Sequence, residues 1–334
     1  MEKIKIGIIG CGHLGKMHIK NLSELSDEMD NVELHGVFDS DKEKYSSIAG
    51  YSNIVRYESL DELLENINTA FIITPTSTHF DIAEKALSKG INLFIEKPVT
   101  AELSDAYKLR ELYKNAGNVI IQIGHIERFN PALLSVESLN LKPMFIESHR
   151  LASFNPRGTD VSVIQDLMIH DIDIILNLVK SKVSSIDATG VAILTKQIDI
   201  ANARIKFENG CVANITASRI SQKKMRKMRI FQKNAYISVD FQENNSEVFR
   251  LTESEDSTAR GIKMPIPGTK NIIYYDKPEI LESNPMKIEE RKFLECIKTG
   301  KTPEVTLEDG IQALEVALEI IKKSEESIGK VVEN

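Results

Sequence analysis

The chain has 334 residues, 42% of them hydrophobic, and its 49 acidic against 42 basic side chains give a formal charge of −7. That length exceeds what one core usually serves, so two domains are expected, and the acidic balance argues against a nucleic-acid surface as the main task. Cys11, Cys211 and Cys296 are too widely spaced for a disulfide framework or a zinc pattern, and no apolar run approaches the length that spans a bilayer.

The first predicted strand already begins at Ile4, which leaves no room for a signal peptide, and a cytoplasmic protein is expected. This apolar run, Ile4 to Ile9, ends in Gly10-Cys11-Gly12-His13-Leu14-Gly15 and passes into a helical pattern with Leu14, His18, Leu22 and Leu25 on one face. A second strand, Val32 to Phe38, closes on Asp39. The unit is βαβ with a dinucleotide fingerprint. Gly10 permits the turn, Gly12 lets backbone approach a pyrophosphate, and Gly15 lets helix pack on strand. The helix N-terminus then offers free N–H groups to the phosphates. Asp39 can accept hydrogen bonds from the adenosine ribose and would repel a 2′-phosphate; with no Arg close behind it, NAD is favoured over NADP. His18, on the apolar face, reads as a satisfied core histidine.

Strand and helix continue to alternate. A brief strand near Ile54-Val55 precedes a helix opened by the capping box Ser59-Leu60-Asp61-Glu62 and a strand from Ala70 to Ile73. A helix from Phe80 to Lys89, a strand from Ile91 to Ile95, a helix from Ala101 to Asn115 and a strand from Val119 to Ile123 follow. The pattern predicts an α/β Rossmann fold over residues 1–123: a doubly wound parallel sheet of order 3-2-1-4-5-6. Ligands on such sheets lie beyond the carboxyl ends of the strands. Those ends read Gly10-Cys11-Gly12, Asp39, Thr74-Pro75-Thr76, Glu96-Lys97-Pro98 and Gly124-His125.

Residues 124–334 change grammar. After a short helix near Pro131 to Leu139 and a strand from Met144 to Ala152 comes a long helix, Ser162 to Val179. Strands are expected at Val183 to Leu194, Ile200 to Phe207, Val212 to Ala217, Met228 to Phe231, Tyr236 to Val239, Val248 to Leu251 and Ile272 to Tyr275. Asn209-Gly210 marks one hairpin turn. The expectation is an α+β domain with a large, mostly antiparallel, open-faced sheet, covered on one side by the long helix and offering its other face to a second subunit. Lys223-Lys224-Met225-Arg226-Lys227 is either a solvated loop before a strand or a phosphate-contacting loop. Glu253 to Arg260 reads as a polar loop. Two helices, Met286 to Thr299 and Leu307 to Ser327, end the chain and can pack back on the first domain.

Two places carry chemistry. Lys97, in Glu96-Lys97-Pro98, can donate a hydrogen bond to a hydroxyl or developing carbonyl, and partial desolvation would let it exchange protons near neutrality, with Glu96 holding it. On the long helix, Asp166, His170, Asp173 and Asn177 fall at i, i+4, i+7 and i+11, a polar stripe on an otherwise apolar element. His170 can act as an imidazole base oriented by Asp166, or the stripe can be a satisfied structural network. Asp171 points away from it and reads as structural. His125, Arg128 and Phe129, just past the sixth strand, are substrate-binding candidates against a loop-capping alternative; Arg157 can clamp an anion or stay solvated. The histidines show no metal-ligand spacing with each other or with the cysteines, and no metal is expected.

Gly10-x-Gly12-x-x-Gly15-x-x-His18, Thr74-Pro75 with His79, Glu96-Lys97-Pro98 and Asp166-x-x-x-His170-x-x-Asp173, in that order, resemble the Gfo/Idh/MocA oxidoreductase family over essentially the full length. The resemblance implies NAD(P)-dependent redox chemistry at a sugar or cyclitol hydroxyl. It makes Lys97 and His170 catalytic, with Asp166 assisting, and it implies a homodimer or homotetramer built through the C-terminal sheet. It also adds Thr74, Pro75 and His79 to the cofactor contacts. Gly124-His125-Ile126-Glu127-Arg128-Phe129-Asn130-Pro131 and Asp166-Leu167-Met168-Ile169-His170-Asp171 resemble the branch containing UDP-N-acetylglucosamine 3-dehydrogenases. That branch implies oxidation of the C3 hydroxyl of a nucleotide-linked amino sugar and a partner aminotransferase feeding lipid A and related glycans. A dehydrogenase of a free sugar or cyclitol, and a regulator sensing NAD and sugar without turnover, are the alternatives.

Overall fold

The computed structural model describes residues 3–332 apart from 49, 52, 157–160 and 254–260, so Arg157 and the stretch 254–260 lie outside the described residues. The chain divides into two units, Met1–Ile126 with Asn284–Leu314, and Glu127–Ser283 with Glu315–Asn334.

The first unit is built on six parallel strands, β1 (Ile4–Ile9), β2 (Val32–Phe38), β3 (Val55–Arg56), β4 (Thr69–Ile72), β5 (Asn92–Glu96) and β6 (Ile121–Gly124), in the order β3-β2-β1-β4-β5-β6. This is the doubly wound order expected. The crossovers carry α1 (His13–Glu28), α2 (Leu60–Asn66), α3 (His79–Ser88) and α4 (Leu103–Lys114). Helices on both faces leave the central strands no wet side, which is why β5 runs Leu93-Phe94-Ile95 without alternation and fully buries all three. The capping box forms as read: Ser59 Oγ accepts the Glu62 N–H at 3.2 Å and satisfies one of the free donors at the start of α2.

The second unit opens with α5 (Pro131–Leu134), capped by Asn130, whose side chain accepts the Ala132 N–H at 3.0 Å. It continues through β7 (Phe145–Leu151) and α6 (Ile169–Val179). Eight further strands follow, β8 (Val183–Val191), β9 (Ile200–Phe207), β10 (Val212–Ser218), β11 (Met225–Gln232), β12 (Ala235–Asp240), β13 (Asn245–Thr252), β14 (Ile262–Pro265) and β15 (Ile272–Asp276). With β7 they form one nine-stranded sheet in the order β14-β15-β13-β12-β11-β7-β10-β9-β8. All its neighbours are antiparallel except β7 and β10. Alternation is clean along β7. Ile146, Ser148 and Arg150 are buried on the α6 side, and Phe145, Glu147, His149 and Leu151 are half-buried on the other.

The structure departs from the sequence pattern in three places. The long helix does not run uniformly from Ser162, because Ile164–Met168 is a π turn in which the Ile169 N–H reaches back to the Ile164 carbonyl. The i→i+5 bond widens the chain there, so the α-helical step that stacks Asp166 under His170 is loosened. The strand expected from Met228 begins three residues earlier, at Met225, taking the end of the basic run with it. The edge strand β14 adds to the expected set: its four residues are exposed and end in Pro265, tolerable only at a sheet edge.

Two helices close the chain, α7 (Pro285–Thr299) and α8 (Leu307–Val332). Helix α7 belongs to the first unit, where Phe293 meets Phe71 and Phe94 edge-on at 5.6 and 5.8 Å between ring centroids. Among the described residues no helix is long and apolar enough to cross a membrane.

Candidate functional site

At the carboxyl ends of β1 and β2 the glycines differ in what a side chain would meet. Gly10 has φ +105°, and a Cβ there would lie 2.3 Å from the Ile73 carbonyl oxygen. At Gly15 it would lie 2.0 Å from the Gly10 carbonyl oxygen, so helix and strand touch backbone to backbone. At Gly12 it would meet nothing within 4 Å. Gly12 therefore borders open space, and it is also the N-cap of α1, where no side chain caps the helix. Free N–H groups, the positive end of a 16-residue helix and an unfilled approach together fit a dinucleotide pyrophosphate.

Asp39 completes this end. Its Oδ2 accepts the Cys11 N–H at 2.7 Å and its Oδ1 the Asp41 N–H at 2.9 Å. Lys44 Nζ stands 3.1 Å from Oδ1 and 3.3 Å from Oδ2. Burial would raise the carboxyl pKa, but these donors outweigh it and hold Asp39 below the usual carboxylate range. The Cys11 thiol, buried beside that carboxylate, is pushed up to about 12 and stays neutral, as a small apolar filler would.

The ends of β4 and β5 are tied together by His79. Its Nδ1 lies 3.0 Å from the Pro98 carbonyl oxygen and its Nε2 3.0 Å from that of Thr74, and burial lowers its pKa. The peptide between half-buried Lys97 and Pro98 is cis. Beneath it, Glu96 Oε2 accepts the Lys97 N–H at 3.2 Å while Oε1 faces His18 Nε2 at 3.2 Å. His18 Nδ1 in turn lies 2.7 Å from Glu290 Oε1 of α7. Burial opposes charge on this imidazole, yet the two carboxylates prevail and raise its pKa to about 9. Glu290, itself raised to about 7 by burial, completes a chain of groups from α7 to the backbone of Lys97.

In the second unit Asp166 and His170 are half-buried on the π turn and the start of α6. Asp173, one α turn on from His170, is buried and gripped by Arg128, whose Nε and Nη2 reach its two oxygens at 2.7 and 2.6 Å. Asp171 takes the opposite direction to Ser148 Oγ at 3.0 Å and Arg150 Nε at 2.7 Å. Arg150 also donates to Glu127 at 2.7 Å. Phe129 is fully buried, and His125, at the end of the first unit, is 1% exposed.

Residues 4–125 match the family model described as oxidoreductase family, NAD-binding Rossmann fold, and residues 141–238 match the GFO/IDH/MocA C-terminal domain. The chain belongs to the Gfo/Idh/MocA oxidoreductase family. It is an NAD-dependent oxidoreductase. UDP-N-acetylglucosamine 3-dehydrogenase of Acidithiobacillus ferrooxidans is 38% identical over 250 residues, 75% of this chain and 78% of the relative. A solved structure of that enzyme superposes with a TM-score of 0.85 at 31% identity, covering 98% of this chain and 99% of the other. The scyllo-inositol 2-dehydrogenase (NAD(+)) of Bacillus subtilis is 26% identical over 337 residues, 95% of this chain and 93% of its own.

Within this Gfo/Idh/MocA member, the turn from Gly10 to Gly15 and Asp39 gather at one sheet end, with Thr74, Pro75, His79, Glu96 and Lys97 on the neighbouring strand ends. Three participants escaped the sequence. Lys44 is five residues past Asp39 in a 3-10 helix, where only its spacing hinted at contact. Glu290 is 272 residues from His18. Arg150 lies on an alternating strand whose pattern gave it an inward face but no partner.

Proposed function

We propose that the protein oxidises the C3 hydroxyl of UDP-N-acetylglucosamine, or a closely similar nucleotide-linked amino sugar, to the 3-keto sugar. The likeness to the Acidithiobacillus ferrooxidans dehydrogenase carries this reading, since it pairs 38% identity over 250 residues with near-complete structural overlap. The turn Gly10 to Gly15 would hold the NAD pyrophosphate and Asp39 its ribose, with Thr74, Pro75 and His79 bordering the dinucleotide. The nicotinamide supplies the two-electron acceptor for the hydrogen leaving C3. His170 takes the hydroxyl proton, with Asp166 orienting the imidazole, and Lys97 donates a hydrogen bond to the oxygen as it becomes a carbonyl. His125, Arg128, Phe129, Arg157 and Asp173 are proposed for the substrate side. Of these, Arg128 and Asp173 also bind each other, Arg128 reaching both carboxylate oxygens from the start of the second unit to α6.

A second copy of the chain would bind the outer face of the nine-stranded sheet, giving a homodimer or homotetramer. What supports this is a row of rings crossing five of its strands, Phe145, Phe231, Tyr236, Phe249 and Tyr275, spaced 4.8–5.7 Å centroid to centroid on the side away from α6. A 3-keto sugar calls for an aminotransferase as the consuming partner, in the cytoplasm.

The test follows NADH absorbance with purified protein, NAD and UDP-N-acetylglucosamine, with a coupled aminotransferase to draw off the ketone. NADH production with the nucleotide sugar supports the proposal. Production with inositol or glucose alone favours the cyclitol reading, which the 26% identity to scyllo-inositol 2-dehydrogenase keeps in view. Absence of turnover with every sugar favours a sensor.

A further inference from the structure

The basic run Lys223-Lys224-Met225-Arg226-Lys227 plays no part in the chemistry above, and the register of β11 sorts its side chains. Lys227 pairs with His149, on the outer face. Arg226 pairs directly with Arg150 of β7, on the face that α6 covers. Like charges opposed across a ladder repel unless an anion lies between them. Glu127 is that anion, its Oε1 being 2.7 Å from Arg150 Nη1 and 3.6 Å from Arg226 Nη1.

Arg150 is further held by Asp171, so Arg226 shares Glu127 with a cation that is already paired, and Lys223 and Lys224 directly precede the start of β11. Lys223 and Lys224 are exposed and form no ion pair among the described residues. The Arg226 side chain is 50% exposed. The approach to them is fixed, because the Ser221 N–H binds the Ala152 carbonyl at 3.0 Å and the Phe241 N–H binds that of Arg226 at 2.8 Å. In a chain of net charge −7, this is a local cationic corner. It adjoins the first turn of α6, since Arg150 holds Asp171 and Asp171 follows His170 directly.

We propose that Lys223, Lys224 and Arg226 form the subsite for the diphosphate of the substrate, an inference that rests on the nucleotide-sugar reading. A diphosphate brings at least two negative charges, and its oxygens suit both the planar guanidinium fork and mobile ammonium groups. An uncharged cyclitol would make no use of such a corner.

Titration calorimetry of the full-length protein with UDP alone tests this, beside steady-state kinetics with UDP-N-acetylglucosamine and NAD. Lys223→Ala/Lys224→Ala should weaken UDP binding about ten- to hundredfold and raise KM for the nucleotide sugar in parallel. KM for NAD should stay within about twofold, and Lys223→Arg/Lys224→Arg should keep UDP affinity. Wild-type UDP binding should weaken as salt rises. Unchanged UDP affinity in the double alanine variant, in an enzyme that turns over UDP-N-acetylglucosamine, overturns the subsite alone. Inorganic phosphate binding as tightly as UDP overturns the diphosphate assignment. A wild type that neither binds UDP nor oxidises the nucleotide sugar removes the functional reading, and the subsite with it.

Discussion

Glu290 Oε1 lies 2.7 Å from His18 Nδ1, and neither side chain is exposed to solvent. Both groups hold protons more tightly than they would in the unfolded chain, His18 to about 9 and Glu290 to about 7. A raised histidine pKa contributes stability that is full below its unfolded value near 6.5 and is lost as pH passes the folded one. Glu290, raised from 4.5, acts in the same direction, since ionising it inside the fold grows costly toward neutrality. Denaturant midpoints should therefore fall from about pH 6 to about pH 9, by an amount on the order of 3 kcal/mol at most. His18→Gln should start less stable and show a shallower slope. Parallel slopes in the two proteins would mean that His18 is not the group releasing its proton.

Two glycine substitutions should separate folding from cofactor binding. Gly15→Ala puts a methyl group 2.0 Å from the Gly10 carbonyl oxygen, so it should lower Tm by forcing α1 off the sheet. Gly12→Ala meets no protein atom within 4 Å and should leave Tm nearly unchanged. Its methyl group would occupy the approach to the pyrophosphate, and KM for NAD should rise at least about tenfold. Thermal melts and NAD titrations on both variants measure this; equal NAD affinity in Gly12→Ala and wild type would exclude the turn as the pyrophosphate seat.

Asp39 and Lys44 should set cofactor preference together. Asp39→Ala removes charged acceptors worth about 1.5–3 kcal/mol to a bound ribose, which corresponds to a rise of about ten- to hundredfold in KM for NAD. It should also narrow the gap between NAD and NADP. Lys44, 3.1 Å from Asp39, offsets part of the repulsion that a 2′-phosphate would meet. Lys44→Ala should accordingly widen the preference for NAD, as the ratio of kcat/KM values for the two cofactors would record.

The first unit was legible because its rules are local. Each strand is a short apolar run and each helix a short amphipathic one, so the sheet order and the residues at the strand ends followed from periodicity and glycine placement. Even the burial of His18 followed from its position on the apolar face of α1. Its partner did not, because Glu290 lies on a helix from the far end of the chain. The π turn was equally hidden: Ile164-Gln165-Asp166-Leu167-Met168 is as good an α-helical sequence as a π one. Arg128 and Asp173 both stand out in the sequence, but nothing within the 44 residues between them says that they would find each other.

That pair gives the last test. Arg128 meets both oxygens of Asp173 at 2.7 and 2.6 Å, with the two side chains 6% and 1% exposed, so removing either partner strands the other as a buried charge. Arg128→Met should cost about 3–5 kcal/mol of stability, and Asp173→Leu a comparable amount. The double variant, which leaves no unpaired charge, should recover a large part of the loss, since well-packed apolar replacements of buried ion pairs are often neutral. Denaturant unfolding of the two single variants and the double closes that cycle. If Arg128 instead served chiefly to grip substrate, Arg128→Met would unfold with the wild-type midpoint while KM for the sugar rose. A shifted midpoint with strong recovery in the double variant would identify the pair as the clamp that fixes α6, and with it the direction in which His170 is held.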